Sequence, residues 1–153
     1  MAAEDLLFMR AALEQAELAF KAGEVPIGAV AVENGNVIAA GRNRVEECKS
    51  VSSHAEFEVI KQIEALRGDW RMQDITLYVT KEPCFMCSGM LINSRVKRIV
   101  FGVRDSKTGG CGGAVDLPSV PENLWHPEVE GEVLEEECLS LIQQFFRERR
   151  KKA

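Results

Sequence analysis

Four residues of the sequence have types and spacings that could bind a metal and move protons. His54 and Glu56 stand two apart, and Cys84 and Cys87 follow three apart directly behind Pro83. An imidazole and two thiolates are zinc ligands, and three protein ligands leave the fourth tetrahedral position for water, as in catalytic sites. Zinc lowers the pKa of water from about 15.7 to about 7, and a carboxylate is then needed to handle protons. The pattern predicts a catalytic Zn²⁺ ion held by His54, Cys84 and Cys87, with Glu56 as general acid and base.

The spacing of these residues predicts how helices position them. Because Pro83 suits the first turn of a helix, the two cysteines would lie on one face at a helix N-terminus, where partial positive charge favours thiolates. Residues two apart on a helix do not face each other. His54 and Glu56 can therefore converge only if the metal lies beyond the tip of their helix, which we expect to begin at about Ser53.

Each half of the pattern also has a simpler interpretation. Ser53-x-x-Glu56 is typical of a helix capping box, and an isolated Cys-x-x-Cys of a redox pair. The zinc could instead be structural, with Cys48, Cys111 or Cys138 as its fourth ligand. These interpretations must be invoked separately, whereas one catalytic zinc explains every residue of the pattern. His-x-Glu followed by Pro-Cys-x-x-Cys is moreover the signature of zinc nucleobase deaminases.

The composition is that of an ordinary globular protein, with 46% hydrophobic and 28% charged residues. The length of 153 residues predicts one domain over residues 1–153. No apolar run approaches the roughly 20 residues that span a bilayer, and acidic Glu4 and Asp5 stand where a signal peptide would be basic. Three cysteines remain without a disulfide framework, which suits a reducing compartment. We therefore expect a cytoplasmic protein without membrane association.

The net charge of −5 argues against a surface that coats nucleic acid generally. Positive charge is concentrated at one place, the segment 147–152, which carries three arginines and two lysines. Any contact with nucleic acid must therefore be local.

Hydrophobic periodicity and turn residues divide the chain into alternating helices and strands. We predict helices over residues 4–22, from about 53 to 67, from 83 to about 93, and over 135–151. We predict strands over residues 27–32, 37–41, 75–80, 98–103 and 130–133. Asn34-Gly35 predicts a hairpin between the first two strands. The irregular segment 104–127 is long enough to suggest a lid or a binding loop.

The order of these elements predicts the fold class. The strand-helix-strand unit over residues 75–103 implies a parallel pair joined by a right-handed crossover. Together with the hairpin, it predicts an α/β protein, a three-layer α/β/α sandwich with a central mixed five-stranded sheet. Ligand sites in such sheets lie at the carboxyl ends of the strands, where Cys84 would be delivered.

The sequence resembles the bacterial tRNA-specific adenosine deaminases, within the cytidine deaminase-like superfamily. The likeness covers nearly the whole chain. The zinc motif is common to the superfamily, whereas Phe-Gly-x-x-Asp-x-Lys-x-Gly over residues 101–109 and Phe-Phe-Arg-x-Arg-Arg over residues 145–150 narrow the likeness to tRNA editing. Further matches are Glu-Val-Pro-Ile-Gly-Ala-Val over 24–30, Gly-x-Asn over 41–43 and Thr-Leu-Tyr-Val-Thr over 76–80.

This resemblance implies hydrolytic deamination of adenosine to inosine at the wobble position of a tRNA anticodon, by a homodimer with one zinc ion per subunit. It implies that Asn43 contacts the base edge. It also assigns substrate contacts within the tRNA anticodon stem-loop to Val25, Pro26, Ala55, Pro83, Asp105, Lys107, Phe146, Arg149 and Arg150. Met90, Leu91 and Ile92 form a candidate apolar dimer interface beside the site; the alternative is that they pack in the core of the domain.

Two other functions fit the same residues. The first is a deaminase of a free nucleobase or nucleoside, of the guanine or cytosine type, built on the same zinc centre. The second is a noncatalytic RNA-binding module whose zinc only stabilises the fold, and a closed site with four protein ligands would favour it. The basic C-terminal segment and residues 104–109 favour the tRNA enzyme over the free-base enzyme.

Overall fold

The centre of the protein is a five-stranded sheet, seen in a computed structural model that describes residues 2–152. Met1 and Ala153, the two ends of the predicted domain, lie outside the described residues. The helices are α1 (Ala3–Lys21), α2 (Val45–Cys48), α3 (Ala55–Arg67), α4 (Phe85–Asn93) and α5 (Glu135–Lys152). The strands are β1 (Gly28–Glu33), β2 (Asn36–Arg42), β3 (Thr76–Lys81), β4 (Arg98–Val103) and β5 (Glu128–Glu130).

The sheet has the order β2-β1-β3-β4-β5 and mixes both kinds of pairing. β1 pairs antiparallel with β2 and β3, whereas β3–β4 and β4–β5 are parallel. The β1–β2 hairpin turns at Asn34 and Gly35, which have φ values of 50° and 77°. Positive φ at both central residues is what a type I′ hairpin turn requires, and Asn-Gly adopts it readily. The predicted hairpin and the mixed five-stranded sheet are therefore confirmed.

Side chains alternate across the central strands, and the two faces bury separate hydrophobic clusters. In β3, Leu77 packs on one face and Tyr78 on the other, as the period of two in a strand dictates. α3 and α4 cover the first face, and α1 and α5 cover the second. The predicted three-layer α/β/α arrangement is therefore confirmed.

The last strand lies earlier than predicted. β5 covers Glu128–Glu130, paired with the start of β4, and not residues 130–133. Glu132 and Leu134 have φ values of 66° and 53°, which extended backbone does not allow. Val133 between them is fully buried in the cluster under α1 and α5. Its burial, and not a strand, explains the apolar position in the sequence.

A buried ion pair links α1 to the sheet. Asp5 is 2% exposed, and its carboxylate accepts two hydrogen bonds of 2.8 Å from Arg98 and one of 2.7 Å from the Tyr78 hydroxyl. Hydrogen bonding to Arg98 and Tyr78 holds the pKa of Asp5 below its usual value. α1 is thereby fixed across β3 and β4. Within residues 2–152, no helix combines the length and apolar character needed to cross a bilayer.

Candidate active site

One imidazole and two thiol groups meet at the edge of the sheet where β3 ends. The ligand atoms of His54, Cys84 and Cys87 all lie within 4.8 Å of one another. Nδ1 of His54 lies 3.7 Å from Sγ of Cys84 and 3.5 Å from Sγ of Cys87. Among residues 2–152, this group has three members and no fourth protein ligand. Three donors of these types fit a zinc site with one open position, and they do not fit a closed structural site.

Two helix N-termini deliver this group. His54 is the N-cap of α3 and Cys84 the N-cap of α4, with Cys87 in the first turn of α4. α3 begins at Ala55 and not at Ser53 as predicted, and its first turn has no side-chain cap. The capping-box interpretation of Ser53-x-x-Glu56 is therefore wrong. Residues two apart within a helix would point in different directions. His54 lies just outside the helix in extended backbone, so its imidazole and the Glu56 carboxyl can reach the same site.

Pro83 also lies outside its helix. It precedes the N-cap of α4 and does not occupy the first turn, which corrects the prediction. Its carbonyl accepts hydrogen bonds from the N–H of Gly110, at 2.8 Å, and from the hydroxyl of Ser88, at 3.1 Å. Pro83 thus fixes the approach to Cys84 and ties it to the loop that follows β4.

The environment favours a thiolate at Cys84, whereas the hydrogen bond to Cys84 and burial raise the pKa of Cys87. Hydrogen bonding to the Cys87 thiol and to the His54 ring lowers the pKa of Cys84 to about 4. All five cysteines are free thiols. The three outside the site are separated from it: Cys48 is exposed, Cys111 packs on Ser88, and Cys138 lies in the core under α5. None of these three is a fourth ligand, as the structural-zinc interpretation required.

Glu56 lies beside the three-residue group but outside it. It is the second residue of α3 and only 4% exposed, although it lines the cavity at the site. Burial raises the pKa of the Glu56 carboxyl to about 7. A carboxyl with a pKa near neutrality can both accept and donate protons, which is the property required of a general acid and base.

The cavity next to this group has a volume of about 140 Å³. Asn43 is held on its wall, because Nδ2 donates to the carbonyl of Val25 at 3.3 Å and Oδ1 accepts from the N–H of Val45 at 3.3 Å. The amide is thereby fixed in orientation. The lining consists of Ile27, Asn43, His54, Ala55, Glu56, Lys81, Glu82, Cys84, Asp105 and Thr108.

A turn at the start of the loop after β4 forms the remaining wall. The Asp105 carboxylate accepts hydrogen bonds from the N–H groups of Lys107 and Thr108, at 2.8 and 3.1 Å, and from the Thr108 hydroxyl at 2.6 Å. These bonds and the ammonium of Lys81 at 3.2 Å hold the pKa of Asp105 well below its usual range. Asp105 therefore shapes its own turn as well as lining the cavity.

Comparison with known proteins places this arrangement in one family. The family model described as MafB19-like deaminase matches residues 3–150. The tRNA-specific adenosine deaminase of Bacillus subtilis (strain 168) is 46% identical over 150 residues, which cover 97% of this chain and 92% of that protein. The chain belongs to the tRNA-specific adenosine deaminase family. The resemblance seen in the sequence is confirmed.

Solved structures agree with this family assignment. A structure from studies of A-to-I editing by tRNA:A34 deaminases at the wobble position of transfer RNA matches with a TM-score of 0.85 and 38% identity, covering 88% of this chain and 98% of that one. The guanine deaminase from Nitrosomonas europaea matches with a TM-score of 0.76 and 24% identity, covering 94% and 84%. The second match shows a shared fold alone.

Several residues that we predicted to contact RNA line a second depression beside the cavity. This depression of about 350 Å³ shares Ile27, Asn43 and His54 with the cavity and extends to α5. There it is lined by Phe146, 44% exposed, and by Arg149, whose guanidinium donates to the carbonyl of Gly23 at 2.7 Å. Val25 lines this depression and not the cavity.

Other predicted contacts of the deaminase lie elsewhere. Pro26 is buried, and Ile27 takes the place on the cavity wall that we predicted for Val25 and Pro26. Pro83 is buried behind Cys84 and does not line the cavity. Lys107 and Arg150 are exposed and line neither depression. These two positions remain predictions about RNA that reaches beyond the cavity.

Two of the three residues considered for a dimer interface, Leu91 and Ile92, are buried within the chain, as the core interpretation predicts. Leu91 is fully buried in the core under α3 and α4, and Ile92 is 7% exposed. Met90 packs against the same cluster. The outward face of α4 instead carries Phe85, 47% exposed, directly after Cys84. Three consecutive apolar residues of a helix point to different sides. The side that packs on the core is buried, so only part of such a run can remain exposed.

Sequence reasoning missed four residues of the cavity wall: Ile27, Lys81, Glu82 and Thr108. Two of them, Lys81 and Glu82, could have been predicted from their position, because they directly precede Pro83 at the end of the predicted central strand. Their side chains carried no motif of their own. Thr108 stands inside the matched segment 101–109, where only its neighbours were singled out.

Proposed function

We propose that residues 1–153 form one zinc-dependent deaminase domain that converts adenosine to inosine at the wobble position of a tRNA anticodon. The observation that carries this proposal is the group of His54, Cys84 and Cys87 beside the buried Glu56 in a cavity that opens toward α5. The names of the similar proteins, tRNA-specific adenosine deaminase and tRNA:A34 deaminase, support the substrate.

His54 Nδ1 and the sulfurs of Cys84 and Cys87 would hold one Zn²⁺ ion per subunit, since their atoms are of the types and at the separations that a tetrahedral zinc site needs. When bound, zinc supplies Lewis-acid activation of water. Glu56 accepts the proton that water loses and delivers it to N1 of the purine. It then takes the second proton from the oxygen that has bonded to C6 and delivers it to the departing amine as the C6–N bond breaks, so adenosine and water give inosine and ammonia. The amide of Asn43 retains one N–H and one oxygen lone pair, beyond its bonds to Val25 and Val45, that can meet the purine edge.

The shape of the site supports a nucleotide splayed out of an RNA loop. A base inside a duplex cannot reach a wall-lined cavity, whereas an anticodon loop offers unstacked bases at little cost. The exposed Phe146 ring can stack on a neighbouring base, and Arg149 can meet RNA phosphate. This supports a tRNA anticodon stem-loop as partner.

The deciding experiment incubates the zinc-loaded enzyme with a synthetic anticodon stem-loop and measures inosine. The proposal requires turnover of the stem-loop that far exceeds turnover of free adenosine, guanine or cytosine. Equal or better turnover of a free base would support the free-base alternative. No turnover of any substrate with zinc bound would support the noncatalytic module.

The contribution of α5 needs point variants, because removing the segment from Phe145 onward would also remove core. Phe145 is 5% exposed and packs edge-on against Phe20, with ring centroids 5.8 Å apart. Phe146→Ala and Arg149→Ala spare that contact. Both should weaken stem-loop binding, whereas Arg147→Ala on the same helix, outside the depression, is the matched control.

We further propose a homodimer, supported by the exposed Phe85 on α4 next to Cys84. Light scattering should give twice the chain mass for the native protein, and Phe85→Glu should give single chains. A native protein that remains a single chain at high concentration would refute the dimer. The cytoplasmic location stays a prediction that follows from a tRNA substrate.

A further inference from the structure

Glu82 is a buried carboxylate that joins the end of β3 to the loop after β4. It is 3% exposed, two residues before Cys84. Its Oε1 accepts a hydrogen bond from the N–H of Asp105 at 2.9 Å, and its Oε2 accepts from the N–H groups of Cys111 and Gly113 at 2.9 and 2.8 Å. Hydrogen bonds to an ionised acceptor are roughly twice as strong as neutral ones. One side chain therefore holds three points of a loop that is remote in sequence.

The loop is built to admit this carboxylate. A Cβ at Gly109 would lie 2.3 Å from Oε2 of Glu82, and a Cβ at Gly113 would lie 2.4 Å from Oε1. Neither distance is possible for a real side chain, so glycine at both positions leaves the space that Glu82 fills. The N–H of Gly110 also donates to the carbonyl of Pro83, which draws the same loop toward the metal-binding group.

This loop carries part of the cavity wall. Asp105 and Thr108 line the cavity, and the N–H of Asp105 is itself held by Glu82. The turn between them is short and internally hydrogen-bonded, so it moves as a unit when its first residue moves. The position of both side chains therefore depends on Glu82.

We propose that Glu82 is a positioning residue that determines substrate binding by holding the segment 105–113 against the cavity. The inference rests on the proposed function only in naming the substrate as RNA. Glu82 acts through the loop, since its side chain is fully buried and both oxygens accept hydrogen bonds from the backbone. Its loss should weaken substrate binding while the metal-binding group and Glu56 continue to work.

The test is Glu82→Gln, a variant of the same shape. Glutamine keeps one acceptor oxygen but replaces the other with an NH₂ group, which is a donor. The backbone N–H groups at that position lose their acceptor, so part of the loop is no longer held. Backbone amides over residues 105–113 should exchange with deuterium about tenfold faster, and KM for the stem-loop should rise about tenfold, as expected for the loss of a charged acceptor. The zinc content and kcat should stay close to those of the wild type.

Glu24→Gln is the matched control. Glu24 is 2% exposed and accepts hydrogen bonds from the N–H groups of Glu46 and Glu47 in α2, at 3.1 and 2.7 Å. Its loss should speed exchange around α2 and leave residues 105–113 protected. Glu122→Gln, an exposed position of the same long loop as Gly113, controls for the loss of charge alone.

A second variant approaches the contact from the other side. Gly113→Ala leaves Glu82 unchanged but places a Cβ against its carboxylate and 2.0 Å from the carbonyl oxygen of Asp105. It should reproduce the faster exchange and the higher KM. If Glu82→Gln does not fold, Gly113→Ala alone tests the proposal. Unchanged exchange over residues 105–113 would overturn the proposal. So would a loss of kcat together with zinc at an unchanged KM, because Glu82 would then act on the metal site.

The proposed function and this inference can fail separately. A wild-type enzyme that binds the stem-loop but makes no inosine would refute the deaminase proposal. Exchange rates and stem-loop binding of the Glu82 and Gly113 variants would still decide whether Glu82 positions the loop.

Discussion

The ammonium of Lys81 lies 3.2 Å from the carboxylate of Asp105, so an ion pair joins the last residue of β3 to the loop at the cavity. Of the described residues that line the cavity, Lys81 is the only lysine or arginine. Three acidic residues, Glu56, Glu82 and Asp105, line the same space, although the carboxylate of Glu82 is fully buried against the loop. A phosphate that arrives with an RNA substrate would therefore meet one favourable charge here, at Lys81.

Lys81→Met should weaken binding of the anticodon stem-loop and make it less dependent on salt. Each phosphate contact in single-stranded nucleic acid contributes about 0.7 to the slope of log K against log salt, so the slope should fall by about that amount. Lys97→Met is the matched control, because Lys97 precedes the start of β4 at the opposite end of the parallel β3–β4 pair. An unchanged slope in Lys81→Met would show that Lys81 meets no phosphate.

Glu56→Gln should abolish most of the deamination and retain both zinc and RNA. Glutamine has the size of glutamate but cannot take a proton from water, and general acid–base catalysis contributes about 10²- to 10⁴-fold. We expect kcat to fall by about that factor. Glu58→Gln, two residues later in α3 and paired with Arg44, should keep kcat near the wild-type value. Full activity in Glu56→Gln would refute the assigned role.

Removal of zinc should abolish activity reversibly. Dialysis against a chelator should stop inosine formation, and added Zn²⁺ should restore it, because three donors without a metal cannot activate water. Cys87→Ala should bind less than one zinc ion per chain and stay inactive, whereas Cys48→Ala, at an exposed cysteine, should bind zinc normally. Undiminished turnover by metal-free protein would contradict the zinc mechanism.

Asp5→Asn should lower the free energy of unfolding at pH 7 by about 2 kcal/mol, since hydrogen bonds to charged groups are worth about 1.5–3 kcal/mol. The folded pKa of Asp5 is depressed, chiefly by Arg98. Its contribution is therefore fully present above the unfolded value of about 3.9 and is lost as the pH falls through the folded value.

Urea unfolding at several pH values measures this difference. The gap between wild type and Asp5→Asn should shrink as the pH drops below about 4. Glu4→Gln, at the exposed neighbouring position, should show no such gap. A gap that is independent of pH would mean that packing, and not the charge of Asp5, stabilises α1.

Gly28→Ala should destabilise the fold, because the new Cβ would lie 2.2 Å from the carbonyl oxygen of Ala12 and 2.3 Å from the nitrogen of Ala16. Those atoms are helix backbone, so α1 must move away from β1, at a cost of about 1–3 kcal/mol. Gly89→Ala is the comparison, since a Cβ in α4 meets nothing within 4 Å there. It should be neutral or stabilising, and thermal melting of both variants checks the contrast.

Much of the fold could be predicted because its signals are local. The run of β-branched and apolar residues over 75–80 predicted a central strand, and Asn34-Gly35 predicted a hairpin, since strand propensity and turn chemistry depend on adjacent residues. The β5 strand could not be placed. The apolar Val133 is buried by contact with α1 and α5, and a sequence does not show which neighbour buries a residue.

The sequence by itself determined the chemistry of the site: the types and spacing of His54, Glu56, Cys84 and Cys87 specify a metal and a proton carrier, because these properties belong to the side chains. Only the tertiary structure decided that the two helix tips meet, and that Glu82 holds the loop through Asp105. His54 and Cys87 are 33 positions apart in the sequence, and Glu82 and Asp105 are 23 apart. Such contacts are not visible in any local stretch of sequence. They depend on the order of strands in the sheet, which no local pattern encodes.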